Sequence, residues 1–308
     1  MRVAAALVIA ILAVPSPSYA WGFEAHKFIV ERMIALLPAE IRPLFEKRRA
    51  YLIERTVDPD LWRNVFPEEE PNHFVDLDYF GQYPFAELPH DLDRAIQQWG
   101  RAVIQEQGML PWRTAEFYGK LQREFQGLRR PNAPSFLQDN IAYYAAMVAH
   151  YVGDGHVPLH SVVNYDGQRT NQLGIHSRWE SELFERTRQR LAIAPAPPAP
   201  VKDPREFMFQ VLLESNKLAE GVLAADKKAV AGREFYDDVY FEALAKEQFS
   251  VLQKRINDSI TAVASMIISA WEAAGRPALP ADGARAPRPV TRPPAPPRPP
   301  GDAAVGRR

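Results

Sequence analysis

Apolar residues recur at intervals of three and four along most of the chain, as in Phe28, Ile29 and Met33, which is the spacing of a helix face packed on a core. The same interval predicts further helices over Leu92–Ile104, Ala115–Leu128, Phe136–Gly153, Trp179–Leu191, Glu206–Ala231 and Phe235–Ala274. Alternating strand patterns are scarce. The sequence therefore predicts an all-α protein, with a single mostly helical domain and two long loops, over Arg55–Tyr83 and Ser161–Gly174.

The first twenty residues differ from this helical body. They begin with a basic Arg2, continue in an apolar run from Val3 to Val14, and end with small residues at Ser18 and Ala20. This is the pattern of a signal peptide that is cleaved after Ala20. The run is too short to span a membrane, and no later segment reaches about 18 uninterrupted apolar residues. We expect a secreted or periplasmic protein whose mature chain has no transmembrane segment.

The last segment, residues 276–308, is rich in Pro, Ala and Arg. Ten of its 33 residues are proline, and its net charge is +5. Such a composition cannot build a core, so we expect a disordered tail outside a domain that spans residues 21–275. That domain carries a net charge of −7. It therefore lacks the broad basic face with which proteins grip long nucleic acids, and no protein partner is implied.

Histidines and carboxylates cluster in two short segments. In HYVGDGHVPLH, His150 and Asp154 are four residues apart on a predicted helix, and His160 follows where a proline lets the chain turn back. In HSRWE, His176 and Glu180 repeat the same spacing. Residues four apart on a helix lie side by side, so each pair can hold one metal ion.

One such pair alone is more often a hydrogen bond than a metal site. Two pairs with a histidine between them favour metal, since an exported chain without cysteine has no disulfide to stabilise it. Asp58 and His73 flank a long polar loop that suits a cavity wall, and His26 lies five residues after the expected cleavage site. Cleavage would also give Trp21 a free α-amino group, which can chelate a metal together with its own carbonyl oxygen.

This combination resembles a superfamily of trinuclear zinc phosphodiesterases, which unites single-strand-specific nucleases with bacterial zinc-dependent phospholipase C. The resemblance runs from Trp21 to Glu180 in motif positions and implies an all-α fold and three zinc ions. It implies the following ligands: Asp58, His73, His150 and Asp154 for one zinc; the Trp21 amine and carbonyl, His26 and a bridging Asp154 for the second; and His160, His176 and Glu180 for the third.

One choice stays open within this assignment. Asp60 competes with Asp58, because the sequence VDPD offers two carboxylates; we prefer Asp58, whose separation from His73 suits the nuclease branch. His90 and His156 match no ligand position. The implied reaction is hydrolysis of a phosphoester by a zinc-activated water, with Asp58 and Asp154 as the catalytic carboxylates.

Evidence on the substrate is divided. The spacing of Trp21 and His26 and the stretch HFVD favour a nuclease or 3′-nucleotidase, in which Phe74 would stack a base and Asp76 would hydrogen-bond it. The resemblance also makes Asn171 a substrate contact, although its usual glycine neighbours are replaced. A glutamate as last ligand, Glu180, instead resembles phospholipase C.

The metal could also serve only to stabilise a non-catalytic binding module. Structural zinc sites are closed by four protein ligands, whereas the third predicted site has three and leaves room for water. The pattern therefore favours an enzyme.

Overall fold

The computed structural model describes residues 22–131 and 133–279, and the regular structure in these ranges is entirely helical. The α-helices, numbered in chain order, are α1 Phe23–Met33, α2 Arg42–Lys47, α3 Arg49–Arg55, α4 Asp58–Trp62, α5 Leu92–Trp99, α6 Arg101–Gln107, α7 Leu110–Gly127, α8 Phe136–Gly155, α9 Ile175–Ser177, α10 Phe184–Thr187, α11 Pro204–Val230 and α12 Asp238–Ala273. Short 3₁₀ helices cover Ile34–Leu36, Pro67–His73, Leu77–Phe80, Pro158–Ser161 and Arg188–Arg190. The predicted all-α class is confirmed.

The long predicted helices agree with α7, α8, α11 and α12 to within a few residues, except that α7 begins earlier and α12 begins three residues later. The predicted loop over Arg55–Tyr83 is not simply irregular, because it contains α4 and two 3₁₀ helices. Proline lies near the start of α4 and of the 3₁₀ helix Pro67–His73. Proline favours the first turn of a helix, and apolar periodicity does not reveal such short turns.

Helix α8 lies at the centre of the fold. It contacts α1, α3, α7, α11 and α12, and every residue from Ala145 to Gly155 is buried. The amphipathic neighbours cover it with apolar faces; in α12, for example, Ile256, Ile260 and Val263 recur at helix spacing and are fully buried. Polar side chains in the Ala145–Gly155 part of α8 are therefore buried, and each must find a partner or a ligand.

Both predicted terminal segments fall largely outside the described ranges. The expected signal peptide and Trp21 lie outside them, as do residues 280–308 of the expected tail. The described part of the chain contains no helix that is both long enough and apolar enough to cross a membrane.

Candidate metal centre

The C-terminal half of α8 carries the two polar residues on which the site is built. His150 and Asp154 are completely buried, and His150 Nε2 lies 3.2 Å from Asp154 Oδ2. Because they are four residues apart, the helix itself places them on one face. A buried carboxylate and imidazole are costly to the fold unless they bind other groups, and residues from three other elements meet them here.

The first group of ligands joins α8 to α1. His26 Nε2 lies 3.3 Å from Asp154 Oδ1, and the His26 ring stacks on the His150 ring with a centroid separation of 4.1 Å. These three side chains can each direct one ligand atom to a common point. The helical spacing along α1 explains why His26 is buried here. Ala25 and Ile29 pack into the core, and His26 lies on the same buried side of the helix.

The second group adds α4 and the 3₁₀ helix Pro67–His73. His73 Nδ1 lies 2.9 Å from Asp154 Oδ2 and 3.1 Å from His150 Nε2. Asp60 Oδ1 lies 3.8 Å from His73 Nδ1 and 4.0 Å from His150 Nε2. Asp60, His73 and His150 form a second possible metal site, and His150 and Asp154 connect it to the first.

The third group comes from the chain after α8. His176 Nε2 lies 3.0 Å and His160 Nε2 lies 3.6 Å from Glu180 Oε2. His176 is in α9, and Glu180 is in the π-helical turn Arg178–Leu183 that continues it. A π turn inside a helix is frequent at functional sites because it shifts the direction of the side chains that follow it. The resulting third group is buried like the others.

These three groups contain most of the unsatisfied polar atoms in the interior. Buried nitrogen or oxygen atoms of His26, Asp60, His73, Asp154, His160, His176 and Glu180 have no hydrogen-bond partner among the described residues. Leaving so many buried polar atoms without partners is unfavourable by about 1–3 kcal/mol each. Cations bound between the groups would satisfy those of these atoms that face one another, which excludes the outward-facing Nε2 of His73, so the residues fit a metal centre.

Hydrogen bonds at the periphery orient two of the imidazoles. His150 Nδ1 donates to the Thr56 carbonyl at 2.8 Å, and His160 Nδ1 donates to the His73 carbonyl at 2.6 Å. In both rings Nε2 is left as the nitrogen with a lone pair, and it faces the neighbouring ligands. Metal-bound histidines are commonly oriented in this way by a partner on the other nitrogen.

The electrostatics also suit a cation. Burial lowers the pKa of His73 to about 3 and that of His176 to about 4, so both imidazoles are neutral at pH 7 and can bind metal. Burial alone would raise the pKa of Asp154, but its interactions with His150, His26 and His73 hold it well below its usual value. Burial raises the pKa of Asp60 well above its usual value and that of Glu180 to about 7. Ionisation of all three carboxylates is therefore unfavourable unless positive charge is added to the site.

The structure groups Asp60, and not the predicted Asp58, with the histidines, so Asp60 becomes the better candidate for the ligand and catalytic carboxylate. Asp58 begins α4 and its carboxylate lies 3.4 Å from the Arg55 guanidinium, whereas Asp60 is fully buried among the histidines. Residues two apart on a helix point to different sides, so only one could face α8. The separation of Asp58 from His73 therefore no longer favours a nuclease.

Trp21 lies outside the described residues, and its neighbour Gly22 is the first residue within them. Gly22 is buried, and a Cβ atom added to it would lie only 2.5 Å from the Ser181 hydroxyl. Since Ser181 follows Glu180 directly, the start of the described chain lies against the π turn that carries this ligand. The absence of a side chain at position 22 is what permits this close approach.

A cavity of about 140 Å³ opens beside the ligands. It is lined by Arg63, Glu70, His73, Phe74, Leu159, His160, Tyr165 and His176. The predicted substrate contact Phe74 is thus in place. Asp76 is buried nearby in the chain, with its pKa raised by burial to about 7, but it is not among the described residues that line the cavity. Asn171 is exposed on its loop and does not belong to that lining either.

Two histidines were predicted to be non-ligands, and neither belongs to the three groups found among the described residues. His90 pairs with Glu206 at 2.6 Å and stacks on Phe209, and His156 Nδ1 donates to the Val152 carbonyl at 2.7 Å.

Two residues near the site were not predicted from the sequence. Arg63 donates to Asp60 at 2.8 Å, lies 3.2 Å from Glu70, and lines the cavity. Glu69 is buried, with an oxygen 4.0 Å from His73 Nε2. The spacing offered a signal in both cases, because Arg63 is three residues after Asp60 and Glu69 is four residues before His73.

Comparisons with models of known protein families and with curated proteins give no match for this chain. The geometry therefore carries the functional argument.

Proposed function

We propose that the protein is a zinc-dependent phosphoester hydrolase that is exported and then binds three zinc ions. One observation supports this most strongly: three buried groups of histidines and carboxylates adjoin one another, and members of the second and third groups line a cavity together with an arginine and two aromatic rings. A centre built only for stability has no need of a cavity against its ligands. The mixture of nitrogen and oxygen ligands suits zinc.

The ligand sets in this proposal are revised from those of the sequence. Asp60, His73, His150 and Asp154 would hold one ion, and His160, His176 and Glu180 another. His26 and Asp154 would hold the remaining ion together with the Trp21 amine and carbonyl, which the resemblance implies. When bound, zinc supplies a Lewis acid and makes water acidic near neutral pH.

The residues of the cavity have roles that follow from their chemistry. Arg63 presents a guanidinium to the cavity, where it can pair with the nonbridging oxygens of a phosphate. Its ion pairs with Asp60 and Glu70 fix its position and keep its charge beside the metal ligands. The Phe74 and Tyr165 rings provide apolar walls for the group attached to the phosphate.

We infer single-stranded nucleic acid or a 3′-nucleotide as the first substrate class, because Phe74 and Tyr165 offer rings on which a base can stack. A phospholipid headgroup is the second, favoured by Glu180 in the third group, since the resemblance associates a glutamate there with phospholipase C. The net charge of −7 over residues 21–275 disfavours long double-stranded nucleic acid as a substrate.

The test is a side-by-side assay of the zinc-loaded mature chain, beginning at Trp21, on single-stranded DNA, 3′-AMP and phosphatidylcholine vesicles. We expect cleavage of the first two that EDTA abolishes and added zinc restores. Cleavage of the phospholipid alone would select the second candidate. Full zinc occupancy without hydrolysis of any substrate would refute the proposal and support the non-catalytic module.

A further inference from the structure

One of the central histidines differs from its neighbours in the nitrogen that it turns toward the ligands. His150 and His160 present Nε2 to the site, with Nδ1 bound to a carbonyl. His73 presents Nδ1, which lies 2.9 Å from Asp154 Oδ2. Its outer nitrogen is therefore Nε2, which is buried and without a hydrogen-bond partner among the described residues.

The carboxylate nearest to this nitrogen belongs to Glu69. Glu69 Oε1 lies 4.0 Å from His73 Nε2, which is about 1 Å beyond a normal hydrogen bond. Both residues belong to the 3₁₀ helix Pro67–His73, and the Glu69 side chain is only 7% exposed. The hydrogen bond requires the two atoms to approach each other by about 1 Å.

Glu69 is itself held from two sides by other helices. The Tyr151 hydroxyl of α8 donates to Glu69 Oε1, and Arg113 of α7 donates to Glu69 Oε2 at 2.9 Å. Arg113 also contacts the Tyr151 hydroxyl at 3.3 Å and Glu116 at 2.8 Å. These two contacts fix the buried carboxylate in place, and the Arg113 guanidinium offsets its negative charge.

We propose that Glu69 is a positioning residue, which accepts a hydrogen bond from His73 Nε2–H when His73 Nδ1 binds metal, and that Tyr151 and Arg113 hold Glu69 for this purpose. Such a carboxylate fixes the tautomer of the imidazole and increases its basicity toward the metal. The alternative is purely structural, in which the pair of Glu69 and Arg113 merely ties the 3₁₀ helix to α7. The proposal rests on the metal centre proposed above and not on the hydrolytic reaction.

The two roles are separated by Glu69→Gln, with Glu68→Gln as a matched control in the same turn, since Glu68 is exposed. Zinc affinity is measured by competition with a chromophoric chelator, and the visible spectrum is recorded after substitution with Co²⁺. We expect Glu69→Gln to weaken the binding of one ion about 10- to 100-fold and to shift the Co²⁺ absorption bands, with no change in Glu68→Gln. Affinities and spectra that match in the two variants would overturn the proposal, even if Glu69→Gln lowers the melting temperature.

A second variant covers the case in which Glu69→Gln does not fold. Tyr151→Phe removes one donor to Glu69 and keeps the ring that stacks on Phe117. Tyr151→Phe should weaken the binding of the same ion by a smaller factor. Unchanged zinc affinity and an unchanged Co²⁺ spectrum would overturn the proposal. If the wild type binds zinc but hydrolyses nothing, the proposed function fails while this inference stands.

Discussion

The revised ligand assignment makes a sharp prediction about two aspartates that are two residues apart. Asp60→Asn should remove one zinc ion per chain and abolish hydrolysis, whereas Asp58→Asn should change neither. The asparagine keeps the shape of the side chain and an oxygen that can accept from Arg63, so the fold should survive. It removes the negative charge that both the cation and Arg63 require.

The structure sets the size of the effect on stability. Asp60 is fully buried and accepts a hydrogen bond from Arg63 at 2.8 Å, but burial raises its pKa well above the usual value, so its charge contributes to stability mainly when a cation is bound. In the zinc-loaded protein, loss of the charge should lower the free energy of unfolding by about 1.5–3 kcal/mol. Asp58 pairs with Arg55 at 3.4 Å near the surface, where the Arg55 side chain is 44% exposed, and such pairs contribute about 0–1 kcal/mol. In a domain of this size, the melting temperature should fall by about 3–12 °C for Asp60→Asn and by at most about 4 °C for Asp58→Asn.

The assay combines metal analysis of the dialysed proteins with thermal melts, recorded with and without EDTA. With EDTA, Asp60→Asn should melt close to wild type, because burial disfavours the charge of Asp60 when no cation is bound. The difference between the melts with and without EDTA isolates the contribution of the metal. Loss of zinc from Asp58→Asn, with full occupancy in Asp60→Asn, would refute the assignment and restore the choice made from the sequence.

Four further predictions concern other parts of the site. Asp154→Ala should release more than one zinc per chain, because Asp154 contacts ligands of two groups; metal analysis that finds at most one ion lost would contradict this. The pKa of Glu180 is raised to about 7, so its contribution to the stability of the metal-free protein is present at pH 4.5 and lost as pH rises through 7; in EDTA, the melting temperature of Glu180→Gln relative to wild type should therefore increase from pH 5 to pH 8, and a constant difference would count against this pKa. Gly22→Ala would place a Cβ 2.5 Å from the Ser181 hydroxyl and should lower stability by about 1–3 kcal/mol, with partial rescue by Ser181→Gly; unaltered denaturant midpoints would show that the chain start does not pack there. Phe74→Ala should reduce kcat/KM on single-stranded DNA by the equivalent of about 1–3 kcal/mol and leave an alkyl phosphodiester without an aromatic ring unaffected, whereas equal losses on both would argue against base stacking.

Much of the centre could be predicted because its residues lie on helices whose periodicity is strong. A spacing of four places His150 beside Asp154, and His176 beside Glu180, in whatever way the helices pack. The predicted ligands His26, His73 and His160 also fall within the groups that the structure brings together. The all-α class followed from the same periodicity.

Local spacing could not decide the residues that depend on how one element is rotated against another. Asp58 and Asp60 are equivalent in sequence, and only the packing of α4 against α8 selects Asp60. Asn171 lies between His160 and His176 of the third group in sequence, yet its loop leaves it exposed.

The sequence by itself determined which side chains are paired within each helix, because the geometry of one helical turn is fixed. Only the tertiary structure decided which pairs meet, which carboxylate of VDPD joins them, and that Glu69 stands behind His73. The physical reason is that these polar atoms become unfavourable without a cation only when they are buried, and they are buried only when α1, α4 and α8 pack around one another.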